Sequence, residues 1–536
     1  MNKKKNLKNG EVDILSPMKL SDINKEYDMI VAGGGITGAG VFYEAVKKGC
    51  RVLLVEANDF AWGTSSRSSK MVHGGLRYLK QGKFLLTKTA VKERERLLKQ
   101  YPGLVTPLKF IMPVFDHYGP GRLSMKIGLS IYSFMAREKQ HQNYTKAAFI
   151  EKIPGIRKKN LVSAVGFKDA QVDDARLVLR LIYEGCLLGG TALNYTRVTG
   201  IERDRKGHLA AVNAIDENSL ASVEIKTKVL INATGAFAEI LHPSPMKGYH
   251  IRPLRGSHLI FPKSIFPLDR VISFIHPQDL RPVFLFPWEG SILLGTTDVD
   301  HGQDMNMEPF VTMKEAEYLL DGLNYILPDL KLSLNDCISS IAGVRPVLSK
   351  KKKAASKESR EHVVWKDKGL ITVTGGKLTT FRMLANDALK AAKAYLPEPV
   401  IPNPEEKIID QPLDETGWNV SNSVQERLLG RYGSVGYQII RQYDKQLFSP
   451  IENTKTLWAE IRYTAEHENV CHLSDLLLRR VRIGLLLPEG GKDLLDRIET
   501  LCKPYLSWDN KKWDKEKQAY IKLWETYYCP PQKKEL

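Results

Sequence analysis

The chain lacks much of what several functional classes require. No run of about 18 uninterrupted apolar residues occurs, so no spanning helix is expected. The Lys-rich start, Met1 to Gly10, is followed by no apolar segment, which argues against a secretory signal. Cysteine is scarce, with six in 536 residues, at 50, 186, 337, 471, 502 and 529. None falls in a CxxC pair or a zinc-like spacing, so neither a disulfide framework nor a metal site is expected, and a reducing compartment fits. No internal repeat is evident. No helix-turn-helix, RNP or zinc pattern accompanies the basic residues, so nucleic acid is not an expected partner.

Charge is what the chain has in excess. Lys and Arg number 79 against 61 Asp and Glu, a formal net charge of +18. An anionic partner would explain this: nucleic acid, an anionic membrane surface or an anionic small substrate. With 43% hydrophobic and 26% charged residues the chain is globular, and its length allows a sizeable core.

Residues 1–26 are polar and aperiodic and read as a loosely attached arm. The apolar run Tyr27–Ala32 stops abruptly at glycine. A small-residue helix over 37–48 and a strand over 51–56 follow, an order that predicts parallel pairing. Residues 84–100 have a helical pattern. Alternation over 209–215, 222–227, 271–275 and 283–286 predicts antiparallel strands, and 229–232 a short buried strand. Helices are expected at 174–188, 314–326, 455–468 and 474–486. Residues 350–359 read as an exposed charged loop and 401–420 as a linker. The expected fold class is α/β: a Rossmann-type dinucleotide domain over 27–400, interleaved with an antiparallel-sheet substrate domain (roughly 85–165 and 246–340). A helical C-terminal domain over 421–536 completes it.

Gly33, Gly35 and Gly38 form G-x-G-x-x-G between the first strand and helix. The first glycine permits the tight turn, the second close approach of a pyrophosphate, and the third helix–sheet packing, with the helix N-terminus facing the phosphates. Glu56 stands 18 residues after Gly38 at a strand end, placed to accept ribose hydroxyls and to repel a ribose phosphate. The fingerprint does not separate FAD from NAD. The hydroxyl-rich run over 63–79, GTSSRSSKMVHGGLRYL, favours FAD, because it can follow an isoalloxazine and approach it at Gly74 and Gly75.

From these residues onward the chain resembles the flavin-dependent (respiratory, aerobic) sn-glycerol-3-phosphate dehydrogenases. The HGGLRYL run begins at His73. VDDARLV follows at 172–178, NATG at 232–235, a basic-GSH motif at 255–258, PW at 287–288, GTTD at 295–298, GVRP at 343–346 and GGKLTT at 375–380. The helical C-terminal domain is matched through Ala459-Glu460, Asp475 and Arg479-Arg480. Two departures stand out: Ala236-Phe237 after NATG where Pro-Trp is usual, and Glu361-His362 after Arg360 where an acid and Tyr are usual. Arg255 also replaces a common Lys.

The resemblance implies FAD-dependent oxidation of sn-glycerol 3-phosphate to dihydroxyacetone phosphate, with electrons passed to quinone. Competing readings are a glycerol-3-phosphate oxidase using oxygen and a related flavin amine oxidase. It implies FAD contacts at Gly33, Gly35, Ile36, Thr37, Gly38, Glu56, Thr64, Ser65, Ser69, Lys70, His73, Gly74, Gly75 and Leu76. Further contacts are expected at Ala233, Thr234, Gly235, Gly376, Lys377, Leu378 and Thr379. A phosphomonoester needs fixed cations, and Arg77, Arg345 and Arg360 are the candidates, since guanidinium binds phosphate oxygens bidentately. His258 is the candidate general base because imidazole accepts protons near neutrality. Lys377, opening a helix, would stabilise reduced flavin, and Tyr78 is a substrate-contact candidate. Arg479, Arg480 and Arg482 read as a solvated basic helix face. The expected location is cytoplasmic, peripheral on the inner face of the cell membrane against anionic lipid, and a homodimer is the expected assembly.

Overall fold

The computed structural model describes residues 18–75, 82, 84–116, 118–119, 121, 128–132, 135, 141–242, 250–349, 362–396 and 420–531. The expectations for Leu76, Arg77, Tyr78 and Arg360, for the 350–359 loop, and for all of the 401–420 linker except Val420 lie outside these residues.

A six-stranded sheet forms the nucleotide-binding half. Its order is His362–Asp367, Leu370–Gly375, Leu230–Asn232, Met29–Ala32, Val52–Val55 and Thr191–Leu193. Every pairing is parallel except the hairpin of the first two. Strands Met29–Ala32 and Val52–Val55 are apolar and buried at every position because both faces of the sheet are covered. Met29 and Val31 pack with helices Ile36–Lys47, Asp174–Leu187 and Phe381–Ala392, whereas Ile30 and Ala32 pack with a three-stranded antiparallel sheet formed by 196–203, 209–216 and 222–226. The expected strands at 209–215 and 222–227 lie in this small sheet. The arm is not loose throughout: Leu20 is buried in the same core, and the backbone of Lys25 and Tyr27 bonds to Lys226.

The second sheet has ten strands, drawn from 71–172 and from 250–349. These spans reach beyond the expected 85–165 and 246–340, because Leu161–Val172 and Ser339–Ser349 run on past those limits. The long strand His250–Pro262 pairs antiparallel with both Ser291–Gly295 and Ser339–Ser349. The two-residue period sorts its side chains. Leu259 and Phe261 face helix Met313–Ile326, while Ile260, Leu293 and Ile341 face the C-terminal helices. Gly256 and His258 share the parity of Ile260, and Gly343 and Arg345 that of Ile341. The chemistry-bearing positions therefore continue the face that the C-terminal domain covers.

That domain runs through helices Asn422–Tyr432, Val435–Gln442, Trp458–His467, Leu495–Cys502 and Asn510–Tyr527. The single helix expected over 474–486 is broken: a π-helical turn spans Leu476–Arg480, and Arg482 has left-handed backbone, φ 68°.

Candidate active site

The glycine turn is shaped by near-contacts. Gly33 has φ 111°, and a Cβ there would lie 2.6 Å from the Ala233 carbonyl oxygen; a Cβ on Gly38 would lie 1.8 Å from that of Gly33. The turn thus abuts the NATG segment, where Asn232 Nδ2 donates to Ala238 and Thr234 Oγ1 to Asn232 Oδ1. Ser65 Oγ accepts the Ile36 N–H at 2.9 Å at the helix start. The Glu56 carboxylate accepts N–H groups from Gly34 (2.7 Å) and Asn58 (2.9 Å), and burial raises its pKa. Its remaining lone pairs suit hydroxyl donors.

His258 and Arg345 come together on the large sheet, each resting on a glycine. A Cβ at Gly295, the cross-strand partner of His258, would lie 2.2 Å from His258 Cδ2. A Cβ at Gly256 would lie 2.2 Å from Arg345 Nη2. Arg345 is oriented by Asp298 Oδ1 and Thr296 Oγ1, each at 3.0 Å. Asp298 therefore aims the guanidinium. Loop 64–70 crosses the same face. Thr64 Oγ1 donates to the Val344 carbonyl, Arg67 backbone lies over Gly343, and Ser69 Oγ is 3.0 Å from His258 Nε2. His258 Nδ1 is buried with no partner. Burial, with Arg345 and Lys70 nearby, pushes the His258 pKa down to about 3, so the ring is neutral.

Gly375 and Gly376 have left-handed backbone and place Lys377 at the N-cap of the turn Leu378–Thr380, which leads into helix Phe381–Ala392. Thr379 Oγ1 donates to the His73 carbonyl at 3.4 Å, and Thr374 Oγ1 to that of Gly235 at 3.0 Å. The GGKLTT, HGG and NATG segments thus meet. At the second departure, His362 Nε2 lies 2.9 Å from Asp387 Oδ2.

Other placements differ from expectation. The Lys70 ammonium lies in the interior, 2.8 Å from Asp174 and bonded to the Ser66 carbonyl, so only its backbone is left for a cofactor. Arg479, Arg480 and Arg482 are buried, not solvated. Arg479 and Arg480 both pair with Asp59, and Arg482 Nη2 donates to Ser66 O at 2.6 Å. Trp288 lies 5.3 Å from Lys70 Nζ and 5.5 Å from the Arg482 guanidinium. Sequence reasoning also missed Asp169, whose Oδ1 accepts from Gly74 N (3.0 Å), Tyr132 OH (2.9 Å) and Arg94 Nη1 (2.9 Å). A Cβ on Gly74 would lie 2.3 Å from Tyr132 OH, so the HGG backbone is pinned from beneath. Nothing in the local pattern around 94, 132 or 169 marks these residues.

The chain matches the FAD dependent oxidoreductase family over residues 28–382, and the C-terminal domain of alpha-glycerophosphate oxidase over 372–513. It is 33% identical over 524 residues to glycerol-3-phosphate dehydrogenase 2 of Mycobacterium tuberculosis, covering 93% of this chain and 88% of the relative. It is 30% identical over 484 residues to aerobic glycerol-3-phosphate dehydrogenase of Staphylococcus aureus, covering 85% and 87%. The solved glycerol-3-phosphate dehydrogenase of Bacillus halodurans, complexed with FAD, superposes with TM-score 0.70 at 25% identity, covering 93% and 95%. The L-alpha-glycerophosphate oxidase of Mycoplasma pneumoniae, at 18% identity and TM-score 0.56, shares the fold, with 72% of this chain and 98% of that one covered.

This is an FAD-dependent oxidoreductase, and FAD is its cofactor. Within that class the chain belongs to the glycerol-3-phosphate dehydrogenase family. The site fits the cofactor on its own terms: a glycine turn at a helix start for the pyrophosphate, Glu56 for ribose, and close-approach glycines beneath loop 64–70.

Proposed function

We infer that the protein oxidises sn-glycerol 3-phosphate to dihydroxyacetone phosphate and passes the electrons to quinone. The observation that carries the reading is the pairing, on one sheet face, of a neutral buried His258 with an Arg345 guanidinium seated in the Gly256 notch. When bound, FAD accepts the hydride. The protein's residues do the rest. Arg345, aimed by Asp298 and Thr296, supplies donors to a phosphate. His258 takes the hydroxyl proton. Lys377, with Arg77, Arg360 and Tyr78, completes the proposed substrate contacts, and the proposed FAD contacts are those the family resemblance implies, with Lys70 contributing only its backbone.

We further propose that the protein lies peripherally on the cytoplasmic face of an anionic membrane, held there by its charge and one helix. Among the described residues no helix is long and apolar enough to cross a membrane. Helix Phe84–Gln100 exposes Phe84 and Leu85 beside exposed Lys88, Lys92 and Lys99, a pattern suited to anionic lipid. A homodimer is retained as the expected assembly, checked by light scattering.

The test is anaerobic mixing of the yellow holoenzyme with sn-glycerol 3-phosphate. Bleaching by this substrate, and not by glycerol or amino acids, is expected. A flavin that stays oxidised overturns the substrate. Reoxidation by a quinone analogue without peroxide separates the dehydrogenase from the oxidase.

A further inference from the structure

Loop 64–70 is anchored on alternate sides. The Asp174 carboxylate accepts the Ser68 N–H at 2.9 Å, Ser68 Oγ at 2.7 Å and Lys70 Nζ at 2.8 Å. Lys70 has left-handed backbone, φ 55°, and its N–H turns back to Ser68 Oγ at 3.1 Å. With both neighbours drawn to Asp174, Ser69 is presented to the opposite side, where its Oγ meets His258 Nε2 at 3.0 Å. The other face of the ring lies on Gly295, which leaves no room for a side chain. Only Nδ1 is left without a partner.

We propose that Ser69 is a positioning residue that holds His258 as its Nε2–H tautomer, so that Nδ1 carries the lone pair that takes the substrate's hydroxyl proton. Two arrangements are open to a neutral ring at this geometry. In one, Nε2–H donates to Ser69 Oγ and Nδ1 is an acceptor. In the other, the Ser69 hydroxyl donates to Nε2 and leaves Nδ1–H buried with no acceptor. A buried orphan N–H is the costlier defect. The first arrangement also offers a substrate O–H the acceptor it needs. The ring stays neutral because burial and the Arg345 and Lys70 cations disfavour its charged form.

The inference rests on the reading of this site as an alcohol-oxidising one. In the step, the substrate O–H bond would break and Nδ1–H would form, while FAD, when bound, would supply the two-electron acceptor for the carbinol hydride. The resulting imidazolium keeps its Nε2–H on Ser69. Asp174 acts one shell further out, by fixing Ser68 and Lys70.

Two measurements on the holoenzyme test this. The first needs no substrate: nitrogen NMR of ring-labelled histidine, with His258 assigned by its loss in His258→Gln. The parent should show Nε2 protonated and Nδ1 unprotonated, Ser69→Ala a mixture, and Ser69→Thr the parental pattern. The second is anaerobic flavin reduction by sn-glycerol 3-phosphate. Ser69→Ala should slow it about 10–100-fold, with rates expressed per bound flavin and half-saturation held within about twofold, and Ser69→Thr should restore most of the rate. A parental proton on Nδ1, or a Ser69→Ala variant reduced at the parental rate, overturns the proposal. A parent that is not bleached at all overturns the substrate reading, while the nitrogen shifts still decide the tautomer.

Discussion

Arg345 and Gly256 compete for one volume: a Cβ on residue 256 would stand 2.2 Å from Arg345 Nη2, on the neighbouring strand. The glycine is therefore a condition for the guanidinium's position. Gly256→Ala should displace Arg345 from Asp298 and Thr296 and weaken substrate binding about tenfold or more, the loss of one or two charge-assisted hydrogen bonds. Substrate titration of flavin bleaching checks this, with flavin content as the control.

Arg345 and His258 should fail differently. Arg345→Ala should raise the half-saturating substrate concentration and keep bound flavin. His258→Ala should slow flavin reduction about 10²–10⁴-fold, the span of general-base catalysis, with a smaller effect on binding. Rapid-mixing kinetics across substrate concentrations separates the two. Unchanged reduction kinetics in His258→Ala would assign the base elsewhere.

Lys70 should leave a signature in stability against pH. Burial and the Arg482 charge lower its pKa from 10.5 to about 7 in the folded protein. Between those values the unfolded chain binds the proton and the folded one releases it. Stability from this group therefore rises with pH across that window and falls as pH drops from 10.5 towards 7. Melting temperatures of parent and Lys70→Met at pH 7 and pH 9 should diverge accordingly, with the parent gaining relative to the variant at the higher pH.

Asp59 receives both Arg479 and Arg480 and is itself fully buried. Asp59→Ala leaves Arg479 with Asp475 and Arg480 with only the Glu468 and Asn469 carbonyls, so Arg480 loses its one carboxylate in the interior, and it should cost about 3–5 kcal/mol, the usual penalty of half a broken buried pair. A large drop in melting temperature is expected, and replacing Arg479 and Arg480 by Met in the same background should recover part of it. A melt within a degree or two of the parent would show that the network carries no such load.

The glycine turn, its parallel strands and the helices at 174–188 and 314–326 were legible because each rests on neighbours in sequence: a period, a breaker, a cap. Thr312 and Glu315, for example, form a reciprocal cap at the start of the second helix. His258 and Arg345 were legible only through their motifs, since their pairing depends on strand register. The three C-terminal arginines were misread because a guanidinium looks the same in sequence whether its partner is water or Asp59, which is 421 residues away from Arg480. The broken 474–486 helix was hidden for a related reason. Arg482 holds a left-handed backbone to reach Ser66, and nothing around residue 482 announces that bond.

The Arg482–Ser66 bond also has a consequence in time. A ribosome adding ~5–20 residues per second needs roughly 20–80 s to travel from loop 64–70 to the arginines that brace it. Throughout that interval the nascent nucleotide half holds Asp59 and Asp174 without their C-terminal counter-charges. Loop 64–70 therefore gains its last brace, the Arg482 donor to the Ser66 carbonyl, only once synthesis has passed residue 482, and until then the fold of the nucleotide-binding half is held by its own contacts alone.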